Sequence, residues 1–252
     1  MIHFEPRYAI SHVVVVGLGG TGSQLARSIA RIVYDMGRHG LHTPSILFVD
    51  PDRAEERNVG RQMVTAADVG QYKAELLARR FNAALGLDIA WDAAPFDPDK
   101  HGGRYGTLLI GCVDNYLARR ALAQVNTIWL DCGNHAESGQ VICGTTSDPV
   151  LVRDALEKNN GVISALPNAA MVFPELLEAE GTSKSDAHVS CADLVEAGIQ
   201  HLLVNDAIAI AAASYVYRLL YRKPCQSFMT FVSLDAQRPI LITKEEIEPY
   251  II

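Results

Sequence analysis

The sequence predicts an α/β protein: a Rossmann-like, doubly wound, mainly parallel sheet, with a long helix and an antiparallel hairpin towards the C-terminus. Three observations carry this. Short apolar or β-branched runs recur through the first half, and helical patterns separate them. The stretch "VVVVGLGGTGSQLARSIARI" (13–32) also reads as a buried strand, a glycine turn and a helix in succession.

The strand runs are "HVVVVG" (12–17), "SILFVD" (45–50), "DIAWDA" (88–93), "TLLIGC" (107–112) and "TIWLDC" (127–132). Each is apolar on both faces, as strands covered by helices on two sides must be. After the first strand, Leu25, Ile29, Ile32, Val33 and Met36 form one apolar helical stripe. Further helices are expected from about Gln71 to Leu85 and from Asn115 to Val125. The rhythm then breaks. After a strand at "QVICGTT" (140–146), much of 159–190 reads as mobile loop with short helical turns. A long alanine-rich helix is expected from Val204 to Tyr221, and "SFMTFVSLD" with "PILITKEE" reads as a hairpin around the "AQRP" turn.

Composition narrows the function classes. The chain has 252 residues, 49% hydrophobic and 20% charged, which are ordinary globular values. A net charge of −7 argues against non-specific nucleic-acid binding, which needs a basic surface. No apolar run approaches a membrane span. The five cysteines are scattered and form no C-x-x-C pair, and no signal-like stretch precedes the first strand, so a reducing cytoplasm is the expected compartment.

The glycine turn predicts a nucleotide. Gly17, Gly19, Gly20 and Gly22 let a backbone approach phosphates, and the following helix points free N–H groups at them. Asp50, at the end of the second strand, suits the ribose hydroxyls of NAD or of ATP alike, or simply caps a turn. The residues beyond Asp50 favour ATP. Asn58, Arg61 and Gln62 stand in N-x-x-R-Q spacing, and Lys73 opens a helix. Asp114 and Asn115 come just after a strand's C-terminal end, where open α/β sheets bind ligands. Arg61 and Lys73 suit a triphosphate and its departing pyrophosphate, unless they form structural ion pairs. Asp114 offers the hard oxygen that Mg²⁺ requires.

Together the GxGGxG turn, the run from Asp50 and Asp52 to Asn58, Arg61 and Gln62, the G-x-x-K at Gly70–Lys73 and the C-x-D-N at Cys112–Asn115 resemble the ThiF/MoeB/HesA group. This is the bacterial branch of the ubiquitin-activating-enzyme superfamily. The resemblance covers about residues 10–146 and resumes at "SCADLVEAGIQ" (190–200); within the group it is nearest the ThiF-related proteins of PRTRC cassettes. It implies one adenylation domain over 1–252, with a nucleotide-binding half (1–146) and a carrier-binding half (147–252). It also implies ATP and Mg²⁺ as cofactors, a small ubiquitin-like β-grasp protein as partner, and a homodimer. By the same resemblance Gly17, Gly19, Gly20 and Gly22 would line the phosphates, and Asp50 would take the ribose. Asn58, Arg61, Gln62 and Lys73 would clamp the triphosphate, while Asp114, beside Asn115, would hold Mg²⁺. The carrier's C-terminal carboxylate would attack the α-phosphorus.

The chain also departs from the group. The two C-x-x-C pairs that bind zinc in many members are missing, so no structural zinc is expected. Cys191, in "SCADLVEAG", matches the place where some relatives carry an acyl-accepting cysteine; a buried packing cysteine is the plainer reading. Arg7 is the nearby candidate for the arginine that such relatives lend across a dimer. Two other functions stay open at this level: a catalytically silent nucleotide-binding adaptor, and an NAD-dependent oxidoreductase, for which the N-x-x-R-Q run has no use.

Overall fold

The computed structural model describes residues 2–178 and 203–251. Its centre is an eight-stranded sheet among these residues. In chain order the strands are β2 (His12–Val16), β3 (Ser45–Val49), β4 (Ile89–Asp92), β5 (Thr107–Gly111), β6 (Ile128–Asn134), β7 (Ser138–Gly144), β9 (Ser227–Ser233) and β10 (Gln237–Leu241). A separate two-stranded parallel sheet pairs β1 (His3–Phe4) with β8 (Val162–Ile163). The spatial order of the large sheet is β10-β9-β7-β6-β5-β2-β3-β4. From β4 across to β6 every pairing is parallel; from β6 to β10 every pairing is antiparallel.

The parallel half stems from the apolar runs. Val13 to Val16 of β2 and Leu108 to Ile110 of β5 are all buried, as central strands covered on both faces require. Helix α1 (Gly20–Arg38) connects β2 to β3 and buries Leu25, Ile29, Val33 and Met36, with Ile32 at the stripe's edge. Helix α2 (Lys73–Leu85) connects β3 to β4 and packs beside α1. Helix α3 (Tyr116–Ala123) connects β5 to β6, in the opposite direction along the sheet. The right-handed crossover rule therefore puts it on the other face.

The second half departs from expectation at particular points. Residues Pro149–Glu157 form a helix, α4, in a stretch where the sequence patterning leads to no helix being expected. Its start is a local signal: Asp148 accepts from the Val150 N–H at 2.8 Å, and Pro149 takes the first helical position, where no N–H is needed. The stretch 159–178 holds β8, a short helix α5 (Ala169–Val172) and a 3₁₀ turn at Pro174–Leu177, so the expected helical turns are there. The long helix α6 (Val204–Leu220) lies across α1, and the short helix α7 (Lys244–Ile247) follows the hairpin and runs into a 3₁₀ turn at Glu248–Tyr250. The hairpin pairs as expected, but its second strand begins at Gln237, within the "AQRP" segment, and the turn falls before it. No helix among the described residues is long and apolar enough to cross a membrane.

Three of the described cysteines are sealed in this core. The neighbouring Cys112 thiol, together with burial, pushes the Cys132 thiol well above the usual range. Burial does the same to Cys143 and raises Cys225 to about 11. Since the thiolate is the reactive form, half-buried Cys112 should react with a maleimide ahead of these three. Peptide mapping after brief labelling checks this; labelling of Cys132, Cys143 or Cys225 before unfolding would contradict the packing.

Candidate functional site

The turn between β2 and α1 is crowded by the protein itself. Gly17 has φ +83°, and a Cβ there would stand 2.6 Å from the Cys112 carbonyl oxygen. A Cβ on Gly22 would stand 1.9 Å from the Gly17 carbonyl oxygen. These two glycines let the first turn of α1 sit directly on the ends of β2 and β5. Gly20 faces a different neighbour, the Asn205 side chain, whose Nδ2 lies 2.6 Å from where a Cβ would be. At Gly19 a Cβ would meet nothing within 4 Å. Of the four, Gly19 is the one whose side-chain space is open to a ligand.

Helix α1 begins without a side-chain cap and without an acidic residue in its first turn. Its first N–H groups have no intrahelical acceptor, and the helix dipole makes this end attractive to anions. By contrast, Asn115, Asp148, Asn168 and Thr243 cap α3, α4, α5 and α7.

Asp50 comes directly after β3 and is 4% exposed. Its Oδ2 accepts from the Leu18 N–H, inside the glycine turn, and its Oδ1 accepts from the Asp52 N–H at 2.8 Å. Burial pushes the carboxyl up, opposed by the Lys73 charge and these two amides. Lys73 is itself buried; its Nζ lies 3.0 Å from Oδ2 of the exposed Asp52, and its N–H donates to the Asp52 carbonyl at 2.9 Å. The plainer possibility for the lysine, a structural ion pair, is therefore present in this structure. The start of α2 is held further by Arg53, which stacks 3.8 Å over the Tyr72 ring and donates to the Gly70 carbonyl.

The N-x-x-R-Q loop lies alongside. Asn58 is buried, and its Oδ1 accepts from the Glu55 N–H at 2.9 Å. Its carbonyl accepts from the N–H groups of Arg61 and Gln62 at 3.2 and 3.0 Å, so Asn58 organises the loop that presents both. Arg61 and Gln62 are half-buried. The Gln62 Oε1 is buried without a hydrogen-bond partner among the described residues. The Met63 N–H donates to Ser23 Oγ at 3.3 Å and ties the loop to α1.

The fourth component leaves β5. The Cys112 N–H donates to the Val16 carbonyl, which aligns the end of β5 with the glycine turn. Asp114 and Asn115 come next, both exposed. Asn115 Oδ1 accepts from the Ala118 N–H at 2.8 Å, so this side chain caps α3. Behind it lies a pair not expected from the sequence. Arg119 and Asp131 are both buried, with Nε and Oδ1 3.6 Å apart, and burial pushes the Asp131 carboxyl up. The available signal is an acid inside the apolar run "TIWLDC", a residue type that is seldom buried without a charged partner.

The structure thus brings Gly17, Gly19, Gly20, Gly22, Asp50, Lys73, the Asn58–Gln62 loop, Asp114 and Asn115 to the C-terminal edge of β2, β3 and β5. Cys191 lies outside the described residues. Arg7 is far from this edge: its Nη2 donates to Ser164 Oγ at 2.6 Å in a cleft of about 640 Å³. Tyr105 and Thr127, which precede β5 and β6, line that cleft and place it at the opposite end of the strands. The charged and glycine-rich residues are gathered at the other edge, the one where open α/β sheets take ligands. Among the described residues no three His, Cys, Asp or Glu side chains cluster as a metal site. Mg²⁺ needs no such cage: one or two carboxylates with substrate phosphates suffice, and exposed Asp114 fits that role.

Two substitutions separate the packed glycines from the open one. Gly22→Ala should destabilise by about 3 kcal/mol or more through overpacking, whereas Gly19→Ala should fold normally and weaken nucleotide binding. Urea unfolding and calorimetry check the pair; equal stability of the two variants would contradict the geometry. Asp50→Asn would set an amide NH₂ against one of the two backbone N–H groups. It should cost about 1–3 kcal/mol in unfolding experiments, the usual penalty for an unsatisfied buried donor.

Comparison with known proteins agrees with this architecture. The chain is 26% identical over 194 residues to ubiquitin-like modifier-activating enzyme 5 of Arabidopsis thaliana, a match that covers 66% of this chain and 45% of that protein. The chain thus spans less than half of that relative's length. Among solved structures, E. coli MccB with MccA-N7isoASN superposes with a TM-score of 0.60 at 15% identity, covering 92% of this chain and 65% of that one. E. coli MccB with AMPCPP and MccA gives 0.57 at 14% identity, with 92% and 64% covered. PaaA gives 0.52 at 16%, with the same coverage. At these identities the likeness is one of fold. The ThiF family model matches residues 7–244, from before β2 to beyond the last strand of the sheet. The chain belongs to the ThiF family.

Proposed function

We propose that the protein is an ATP-dependent adenylyltransferase that activates the C-terminal carboxylate of a small ubiquitin-like or sulfur-carrier protein and releases pyrophosphate. The observation that carries this reading is the uncapped start of α1 beside Lys73 and the Arg61 loop, all tied together through Asp50 and Ser23. Family membership supports it, as do solved structures of similar fold whose names include ATP, AMPCPP and MccA.

The chemistry requires little of a base, because a carboxylate is already a nucleophile at neutral pH. One carboxylate oxygen attacks the α-phosphorus, the bond to the β-phosphate oxygen breaks, and an acyl-adenylate and pyrophosphate result. Positioning and charge neutralisation dominate such a reaction. Triphosphate on the α1 turn would meet the free N–H groups near open Gly19. Lys73 would exchange its bond to exposed Asp52 for a phosphate oxygen, and Arg61 would offset the charge developing on the leaving group. Asp50 would accept from the ribose with its remaining lone pairs. Mg²⁺ held by Asp114 would supply charge neutralisation at the phosphates. Cys191 would be a later acyl acceptor, which adenylation itself does not need.

Calorimetry should show ATP with Mg²⁺ binding and no NADH binding; tight NADH binding with no ATP signal would overturn the adenylation reading. Arg61→Ala should lower carrier-dependent exchange of labelled pyrophosphate into ATP about a hundredfold, since a lost charged contact to the transition state costs on the order of 3 kcal/mol. Lys73→Ala should lower it similarly and also reduce stability, because buried Asp50 loses its compensating charge. ATP binding with no exchange in wild type would mark the protein as an adaptor. Cys191→Ala should leave exchange intact and remove any thiol-sensitive carrier conjugate; a conjugate formed equally well by the variant would exclude Cys191 as acceptor.

A further inference from the structure

Asn205, in the first turn of α6, has no role in the site as the sequence motifs define it. It is 5% exposed and comes from the far half of the chain. Its Oδ1 accepts two hydrogen bonds, from Thr21 Oγ1 at 3.0 Å and from Asn134 Nδ2 at 2.6 Å. Those partners stand at the start of α1 and the end of β6, both on the C-terminal edge of the sheet. Both lone pairs of the amide oxygen are therefore in use. The amide nitrogen is not. Nδ2 has no hydrogen-bond acceptor among the described residues, and it lies against Gly20, 2.6 Å from where a Cβ would stand.

A largely buried primary amide with two unused hydrogens is a donor poised for an acceptor. The neighbouring groups are donors too. Gly19, Gly20, Thr21 and Gly22 open α1, no side chain caps them, and no acid stands among them. The uncapped N–H groups of this turn and the neighbouring amide thus call for the same kind of partner, an acceptor such as an anionic oxygen. The bonds from Thr21 and Asn134 engage the amide oxygen, and the amide group lies against Gly20, with Nδ2 its closest atom at 2.6 Å and Oδ1 at 3.2 Å from the Cβ position.

We propose that Asn205 is a ligand-contacting residue of the nucleotide site: its Nδ2 donates to a phosphate oxygen of a nucleotide seated on the α1 turn. This rests on the adenylation reading and extends it, because it brings α6 into the phosphate site. It also assigns Gly20 its own reason to be glycine. The missing side chain there makes room for the amide rather than for the phosphates.

The test is calorimetry on the full-length protein, without any carrier, using ATP with Mg²⁺ and, separately, adenosine. Asn205→Asp keeps an oxygen for Thr21 and Asn134 and replaces the donor with an anionic oxygen. ATP affinity should fall about tenfold or more, as expected when a charge-assisted bond becomes a repulsion, while adenosine affinity stays within about twofold of wild type. Asn205→Leu removes the donor without adding charge and should weaken ATP selectively by a smaller factor. Unchanged ATP affinity in both variants overturns the proposal. So does an equal loss for ATP and adenosine, which would mean that Asn205 only supports the fold of the site. Should the variants fold poorly, wild-type protein labelled with ¹⁵N at asparagine side chains gives the answer directly. The Asn205 NH₂ signal should shift with ATP and not with adenosine; a signal unmoved by ATP overturns the proposal. Wild type that binds no ATP overturns the adenylation reading itself, a result distinct from ATP binding that ignores Asn205.

Discussion

One buried carboxylate holds the candidate site together. Asp50 accepts from Leu18 in the glycine turn and from Asp52 in the loop after β3, while Lys73 stands close enough to offset its charge. Without this acceptor two backbone N–H groups would be buried unpaired, and the turn and the loop would have no common anchor. The arrangement also fixes where the lysine can be. Its backbone bonds to the Asp52 carbonyl and its ammonium to the Asp52 side chain, so the charge waits at the sheet edge rather than in open solvent.

The second constraint is space. The first turn of α1 rests on the ends of β2 and β5 at a separation that allows no side chain at Gly17 or Gly22. The close approach lets Cys112 and then Asp114 emerge beside the helix N-terminus. Without it, β5 would deliver its residues to a different place. The buried Arg119–Asp131 pair acts from beneath, joining α3 to β6 and so fixing the direction in which the Asp114–Asn115 turn leaves the strand. Removing either partner would leave a buried charge uncompensated, a severe cost.

Both halves of the chain contribute strands to one sheet. Strands β7, β9 and β10 extend the same sheet that β2 to β6 begin, and α6 packs across α1. The Thr21–Asn205–Asn134 network is the polar counterpart of that packing. It joins the start of a helix from the first half, the start of one from the second, and the end of the strand between them.

Much of this is legible in the sequence because it is written locally. Runs such as "VVVV" and "LLIG" announce central strands, the Leu25–Met36 stripe announces a helix, and the spacing from Gly17 to Asn115 carries a family likeness that the comparison bears out. Pro149 after Asp148 is an equally local signal of a helix start, whereas β1 and β8, at two residues each, are too short to show any periodicity. What the sequence by itself determined is the order of the main strands and long helices and the identity of the family, since both depend on neighbours along the chain. Only the tertiary structure decided the division of labour among the residues. Gly22 makes room for backbone, Gly20 for Asn205, and Gly19 for neither; Asn115 caps a helix, Asn58 organises a loop, and Arg7 stands at the far edge of the sheet. Those roles rest on contacts between residues as far apart as Thr21 and Asn205, and no spacing along the chain encodes which side chain will fill the space beside a glycine.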